Sequence, residues 1–201
     1  MCYENPYDGA STSYFGKVEA KLRRSRGRVR AIRKLVPSGR FLDVGSSGGF
    51  MSQAAREAGF DVVGIEPDAH SVAYARAHYP GPRYLEGTME SVSPADVLGD
   101  GPAFDVAYAS EVIEHAPDIA GFLGAIAGLV RPGGILYLTT PDLGHWRRGP
   151  VERWEAFCPP AHLHWFTVMS LGIALERAGL RIARRRPAFK PGIKLMARKP
   201  G

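Results

Sequence analysis

Cysteine is nearly missing from these 201 residues: Cys2 and Cys158 are the only two. Neither a disulfide framework nor a four-ligand zinc site can be assembled from them, and redox chemistry is not the expected job. Also lacking is any apolar run long enough to span a bilayer, while the N-terminal MCYENPYDGASTSYF has no basic-then-apolar signal pattern. The expectation is a soluble, cytoplasmic chain with no membrane insertion. Nucleotide fingerprints are missing as well. G-x-G-x-x-G spacing would fall on positions 45, 47 and 50, where Ser47 and Phe50 break it, and no phosphate-loop Gly-Lys-Ser/Thr ending follows.

What is present is a globular composition, 45% hydrophobic and 23% charged, at a length that buries one full core. The whole chain, 1–201, is therefore read as one domain. The formal charge is +6, concentrated in KLRRSRGRVRAIRK (21–34), with smaller clusters at Arg147–Arg148 and Arg184–Arg186. Leu22, Val29, Ile32, Leu35 and Val36 leave a partial apolar stripe through the first cluster, which reads as a surface helix with a wet arginine face. Contact with a phosphate-bearing substrate, an acidic partner or RNA is the competing reading of those arginines.

From residue 40 onward, short apolar runs alternate with helical patterns, the mark of βαβ units and a mostly parallel sheet. Strands are expected at 40–45, 61–66, 82–88, 104–110 and 135–141, and helices at 51–59, 70–79, 119–130 and 170–179. The last two strands, 180–187 and 192–200, are joined too closely for a crossover helix and must pair antiparallel. Four parts follow: an N-terminal cap and basic helix (1–39), a cofactor-binding core (40–141), a lid (142–167), and a C-terminal helix with the hairpin (168–201). The lid is the one long irregular segment, the kind that serves binding.

Asp43-Val44-Gly45-Ser46-Ser47-Gly48-Gly49-Phe50 follows the first strand and opens a helix, where α/β sheets bind nucleotides. Gly45 and Gly49 permit a sharp turn and close approach of a ligand, and helix N-terminal N–H groups favour negative charge. The carboxylate of S-adenosylmethionine is such a group. Glu66 ends the second strand about twenty residues later, where an acid can accept from both hydroxyls of a ribose. Thr88 and Met89, after the third strand, would flank an adenine ring.

FLDVGSSGGF, VVGIEPD, FDVAYASEVIEHAPD with LVRPGGILYLTTP, and PPAHLHWFT with LGIALERAGL carry a resemblance. Over 40–200 the chain resembles the class I S-adenosylmethionine-dependent methyltransferases, above all the bacterial branch similar to ubiquinone-biosynthesis O-methyltransferases and sugar or natural-product methyltransferases. The resemblance implies a Rossmann-like α/β fold with a seven-stranded, mostly parallel sheet, an antiparallel last strand and helices on both faces. It implies S-adenosyl-L-methionine as cofactor and S-adenosyl-L-homocysteine as product. Asp43, Gly45 and Gly49 would hold the methionine part, Glu66 with Pro67 beside it the ribose, Thr88 and Met89 the adenine, and Ser110 the methyl side. Ser47 departs from the glycine usual there. Tyr7 and Tyr14 lie in a segment that looks like the one capping the cofactor in relatives.

Methyl transfer from a sulfonium mainly needs an aligned acceptor and excluded water, with a base where the acceptor is a hydroxyl. His115 and His164 are the candidate bases, with His145 and His162 also in the lid. The pattern Glu111-x-x-Glu114-His115 also resembles metal-dependent members that hold a hard divalent ion, and on a helix those positions would share a face. Trp146, Trp154, Phe157, Trp165 and Phe166 either line an apolar or sugar-ring pocket or form the lid's own core. The leading expectation is methylation of a small-molecule hydroxyl on a sugar, natural product or quinone-like precursor. The alternatives are an RNA-terminal 2'-O-methyltransferase and a non-catalytic cofactor-binding module.

Overall fold

A computed structural model describes residues 17–201; Cys2, Tyr7 and Tyr14 lie outside them. Two compact units emerge, one running to Ala107 and one spanning Tyr108–Gly201.

The first unit opens with helix α1 (Val18–Arg33), which buries Leu22, Ser25, Val29 and Ile32 and leaves most of its arginines in water. The periodic apolar stripe thus selects one face, and α1 packs it on α2 (Phe50–Glu57). Arg26 donates to both Glu57 oxygens at 2.7 and 2.9 Å across that seam. Strand β1 (Gly39–Val44) pairs in parallel with β2 (Phe60–Glu66), and β2 with β3 (Arg83–Glu86). Near-continuous burial along β1 and β2 explains their apolar runs, because helices cover parallel sheets on both faces. Helix α3 (Ala69–His78) is capped by Asp68, whose side chain accepts from Ser71 N–H at 2.7 Å. A short helix absent from the sequence reading, α4 (Pro94–Leu98), starts at a Ser93 cap.

Arg40 straps this unit together. Its Nε donates to Asp61 at 2.9 Å, its Nη atoms donate to the carbonyls of Pro102 and Leu98, and the guanidinium lies over the Phe104 ring. Gly39 is required beside it: a Cβ there, at φ +123°, would stand 2.0 Å from the Asp105 carboxylate that accepts the Arg40 N–H.

Strand β4 (Phe104–Ser110) leads into the second unit. There α5 (Ile119–Leu129), capped by Asp118, runs straight into β5 (Val130–Thr140). Strand β5 thus starts five residues ahead of the strand expected at 135–141. Helix α6 (Val168–Arg177) begins with a Thr167/Ser170 capping box. Strands β6 (Arg181–Arg185) and β7 (Ile193–Arg198) pair antiparallel as expected, and β7 pairs antiparallel with β5. Lys199 donates to the carbonyls of Ala127 and Val130 at 2.8 and 2.9 Å, pinning the chain end to the α5–β5 junction. The seven strands form one sheet, ordered β3-β2-β1-β4-β5-β7-β6. Order thus reverses at β1, the strand that feeds the glycine loop. Among the described residues, no helix is long and apolar enough to cross a membrane.

Candidate functional site

Three left-handed residues shape the glycine loop: Gly45 (φ +71°), Ser47 (φ +49°) and Gly49 (φ +81°). Gly45 and Ser46 donate their N–H groups to the Ile65 carbonyl at 2.9 and 3.0 Å, anchoring the loop to the end of β2. At Gly49 a side chain has no room, since a Cβ would meet the Tyr84 hydroxyl at 2.6 Å and Ala75 at 3.0 Å. Ser47, the departure from glycine, carries the strained conformation itself.

Glu66 is buried and holds this loop. Its carboxylate accepts the Ser47 N–H at 2.8 Å and the Asp68 N–H at 3.1 Å, which ties the loop to the start of α3. Burial raises its pKa, and those two N–H groups oppose the rise. Two backbone donors use half of a carboxylate's lone-pair sites, leaving capacity for a pair of hydroxyls. Asp43 is also buried, and Ser52 donates its hydroxyl to it at 2.6 Å. Desolvation pushes the Asp43 carboxyl up to about 7, against the Ser52 hydrogen bond. Pro67 and Thr88 are exposed, and Met89 is buried rather than presenting a free surface. Thr88 N–H is held by Ser91 Oγ at 2.8 Å.

In the second unit, Ser110 and Thr139 hydroxyls meet at 2.7 Å, and Thr139 donates to Glu111 at 2.7 Å. Glu111 adopts φ +56°, and its N–H donates to the Thr139 carbonyl at 2.9 Å. A single helical face for positions 111, 114 and 115 is therefore corrected: only a 3-10 turn, Ile113–His115, forms, and left-handed Glu111 stands before it. Thr139 holds Glu111 instead.

Glu114, His115 and His162 come together, each offering a ligand atom within 4.8 Å of the others. Glu114 is fully buried; Thr140 donates to its Oε2 at 3.0 Å, and its Oε1 has no hydrogen-bond partner among the described residues. Burial first, and the Glu111 charge second, push its carboxyl up to about 8. His115 Nδ1 donates to the Ala161 carbonyl at 2.6 Å and His162 Nδ1 to that of Ala156 at 2.8 Å. A carbonyl only accepts, so both imidazoles carry a proton on Nδ1, and the neutral form of either ring has its lone pair on Nε2. Burial lowers the pKa of His162, which favours that neutral form. His164 stands outside this cluster, giving its N–H to the Glu114 carbonyl at 3.2 Å, with its ring 6.2 Å from Phe166.

The aromatics of residues 142–167 divide. Trp154 and Phe166 are buried, and Phe157 packs on Trp165, whose Nε1 donates to Ala156 at 2.7 Å. Trp146 is 83% exposed.

Ser52, Thr139 and Thr140 went unnoticed in the sequence. A hydroxyl residue within a strand or helix carries no pattern of its own; only the fold turns it toward a carboxylate.

A family model described as a methyltransferase domain matches residues 14–184. The ubiquinone biosynthesis O-methyltransferase of Rhodopseudomonas palustris (strain HaA2) is 30% identical over 164 residues, covering 70% of this chain and 61% of that protein. Its counterpart in Azorhizobium caulinodans is 32% identical over 143 residues, covering 62% of this chain and 54% of that protein. This chain thus spans between half and two thirds of those relatives' lengths. An S-adenosylmethionine-dependent methyltransferase from Mesorhizobium loti superposes with a TM-score of 0.70 at 21% identity, covering 91% of this chain and 98% of that one, which shows a shared fold.

Proposed function

From the premise that this chain belongs to the methyltransferase domain family, we propose that it binds S-adenosylmethionine and methylates a small-molecule hydroxyl. The observation that carries this reading is buried Glu66, fastened to the left-handed glycine loop and still able to accept two hydroxyl hydrogen bonds. Asp43, Gly45 and Gly49 hold the methionine part and Glu66 with Pro67 the ribose; Thr88 and the backbone of Met89, whose side chain is buried, take the adenine, and Ser110 lines the methyl side. The cofactor supplies a methyl group already activated as a sulfonium. What the chain must add is alignment, exclusion of water and a place for the acceptor's proton.

That place is the lone pair on Nε2 of His115 or His162, each held in the right tautomer by a backbone carbonyl. His164, outside the cluster, keeps a candidate role toward the acceptor. The ubiquinone-biosynthesis names of the relatives favour a quinone-like precursor, with sugars and natural products in the same chemical class. Calorimetry tests the ribose role: Glu66→Ala weakens S-adenosylmethionine binding by about 2–4 kcal/mol, because hydrogen bonds to a charge are lost. Unchanged affinity in a variant that melts like the parent would refute it.

One observation favours an added divalent ion: the unpartnered Glu114 Oε1 beside two imidazoles. Two nitrogen donors and one carboxylate suit zinc or another first-row ion better than magnesium. Titrating the chain with zinc and with magnesium separates these cases. Tight zinc binding abolished in Glu114→Gln supports the ion, and no binding of either metal removes it.

A further inference from the structure

Two large aromatic side chains stand in water on the second unit: Trp146 is 83% exposed and Phe189 is 76% exposed. They lie far apart in sequence yet flank one cation: the Arg147 guanidinium sits 5.1 Å from the Trp146 ring centre and 4.0 Å from that of Phe189. His145 cross-ties their two loops. Its Nε2 donates to the Ala188 carbonyl at 3.1 Å, and its Nδ1 accepts the Arg147 N–H at 3.1 Å. Both nitrogens are thereby used, and the imidazole ring lies stacked beside Trp146.

We propose that the His145–Arg147 loop and the β6–β7 turn form one docking surface for an anionic phospholipid membrane, with Trp146 and Phe189 entering the headgroup layer. Charge complementarity selects this occupant. Lys190 follows Phe189 directly, Arg184, Arg185, Arg186 and Lys194 are exposed along the same hairpin, and residues 181–201 contain neither Asp nor Glu. Basic residues are drawn to an anionic leaflet, while exposed Trp and Phe side chains bury their apolar rings at the headgroup boundary. A guanidinium stacked on aromatic faces keeps its in-plane N–H donors for phosphate.

Arginines on an edge strand have a second explanation, since charge there discourages edge-to-edge pairing. The aromatic pair has no such explanation, and it carries the inference. A single-stranded nucleic acid would need a run of stacking faces along a groove; this patch offers two rings that share one guanidinium. The surface stands independently of the cofactor reading.

Sedimentation of the full chain with vesicles tests it. The chain partitions onto vesicles of mixed phosphatidylcholine and phosphatidylglycerol, stays free of pure phosphatidylcholine vesicles, and is released by salt. Trp146→Ser with Phe189→Ser lowers that partition about tenfold or more, the scale set by burying apolar side chains. Arg147→Glu with Lys190→Glu abolishes it, and an unchanged melting temperature shows both variants folded. The proposal is overturned by a wild-type chain that ignores anionic vesicles, or by variants that sediment as well as the parent. It is equally overturned if a single-stranded oligonucleotide, and not the vesicles, shows the dependence on the two rings.

Discussion

At the scale of single residues, the surroundings of the glycine loop are built from acids placed where water scarcely reaches them. Asp43 is the clearest case, with burial raising its carboxyl to about 7 from the ordinary aspartate value of 3.8. Between those values the folded chain keeps a proton that the unfolded chain has released. Stability from this group therefore falls as pH rises through the window, by up to about 1.4 kcal/mol per pH unit. Asp43→Asn removes that slope while its amide oxygen still accepts from Ser52. Melting temperatures measured from pH 4 to 8 check this, and parallel curves for parent and variant would contradict it. The glycine loop was legible at this scale because its turn is local: Gly45 and Gly49 stand where positive φ is needed. Ser47 was legible as a departure from the family pattern, not as the residue whose N–H meets Glu66.

Among elements, connections between distant segments set the architecture. Arg40 joins β1 to the carbonyls of Leu98 at the end of α4 and of Pro102 beyond it, and to Asp61 on β2, a set of partners that no stretch around residue 40 announces. Arg40→Ala leaves two carbonyls without their donor and should lower the unfolding free energy by about 1–3 kcal/mol. Arg40→Lys restores only part of this, since one ammonium cannot span the planar fork. Denaturant unfolding of both variants measures the difference, and equal stability of Arg40→Ala and the parent would refute the strap. Strands β1, β2, β4, β5 and the closing hairpin could be read in advance, because apolar runs and short links constrain pairing. The turn at Ile113–His115 could not, because Glu111 leaves helical space for a hydrogen bond to Thr139.

For the molecule as a whole, the question is what the net charge of +6 serves. Helix α1 spends part of its charge on its own neighbour, through the Arg26–Glu57 pair. Methyl transfer to a neutral small acceptor should vary little with salt, whereas a substrate bound through several phosphates would lose affinity steeply. Turnover followed from low to moderate salt decides: a steep fall would favour the RNA-terminal alternative over a small acceptor.

Periodicity, glycine placement and link length are local quantities, so strand order of appearance, the positions of the longer helices, the turn at Gly45 and the acid ending β2 could be read from the chain alone. Contacts are not local. The partnership of His115 with His162 rather than His164, the capture of Glu111 by Thr139, and the gathering of Trp146 and Phe189 around Arg147 came only from folding. Side-chain neighbours brought together from remote positions leave no periodic trace in either segment, and only the packed backbone decides which of several equivalent histidines or aromatics meet.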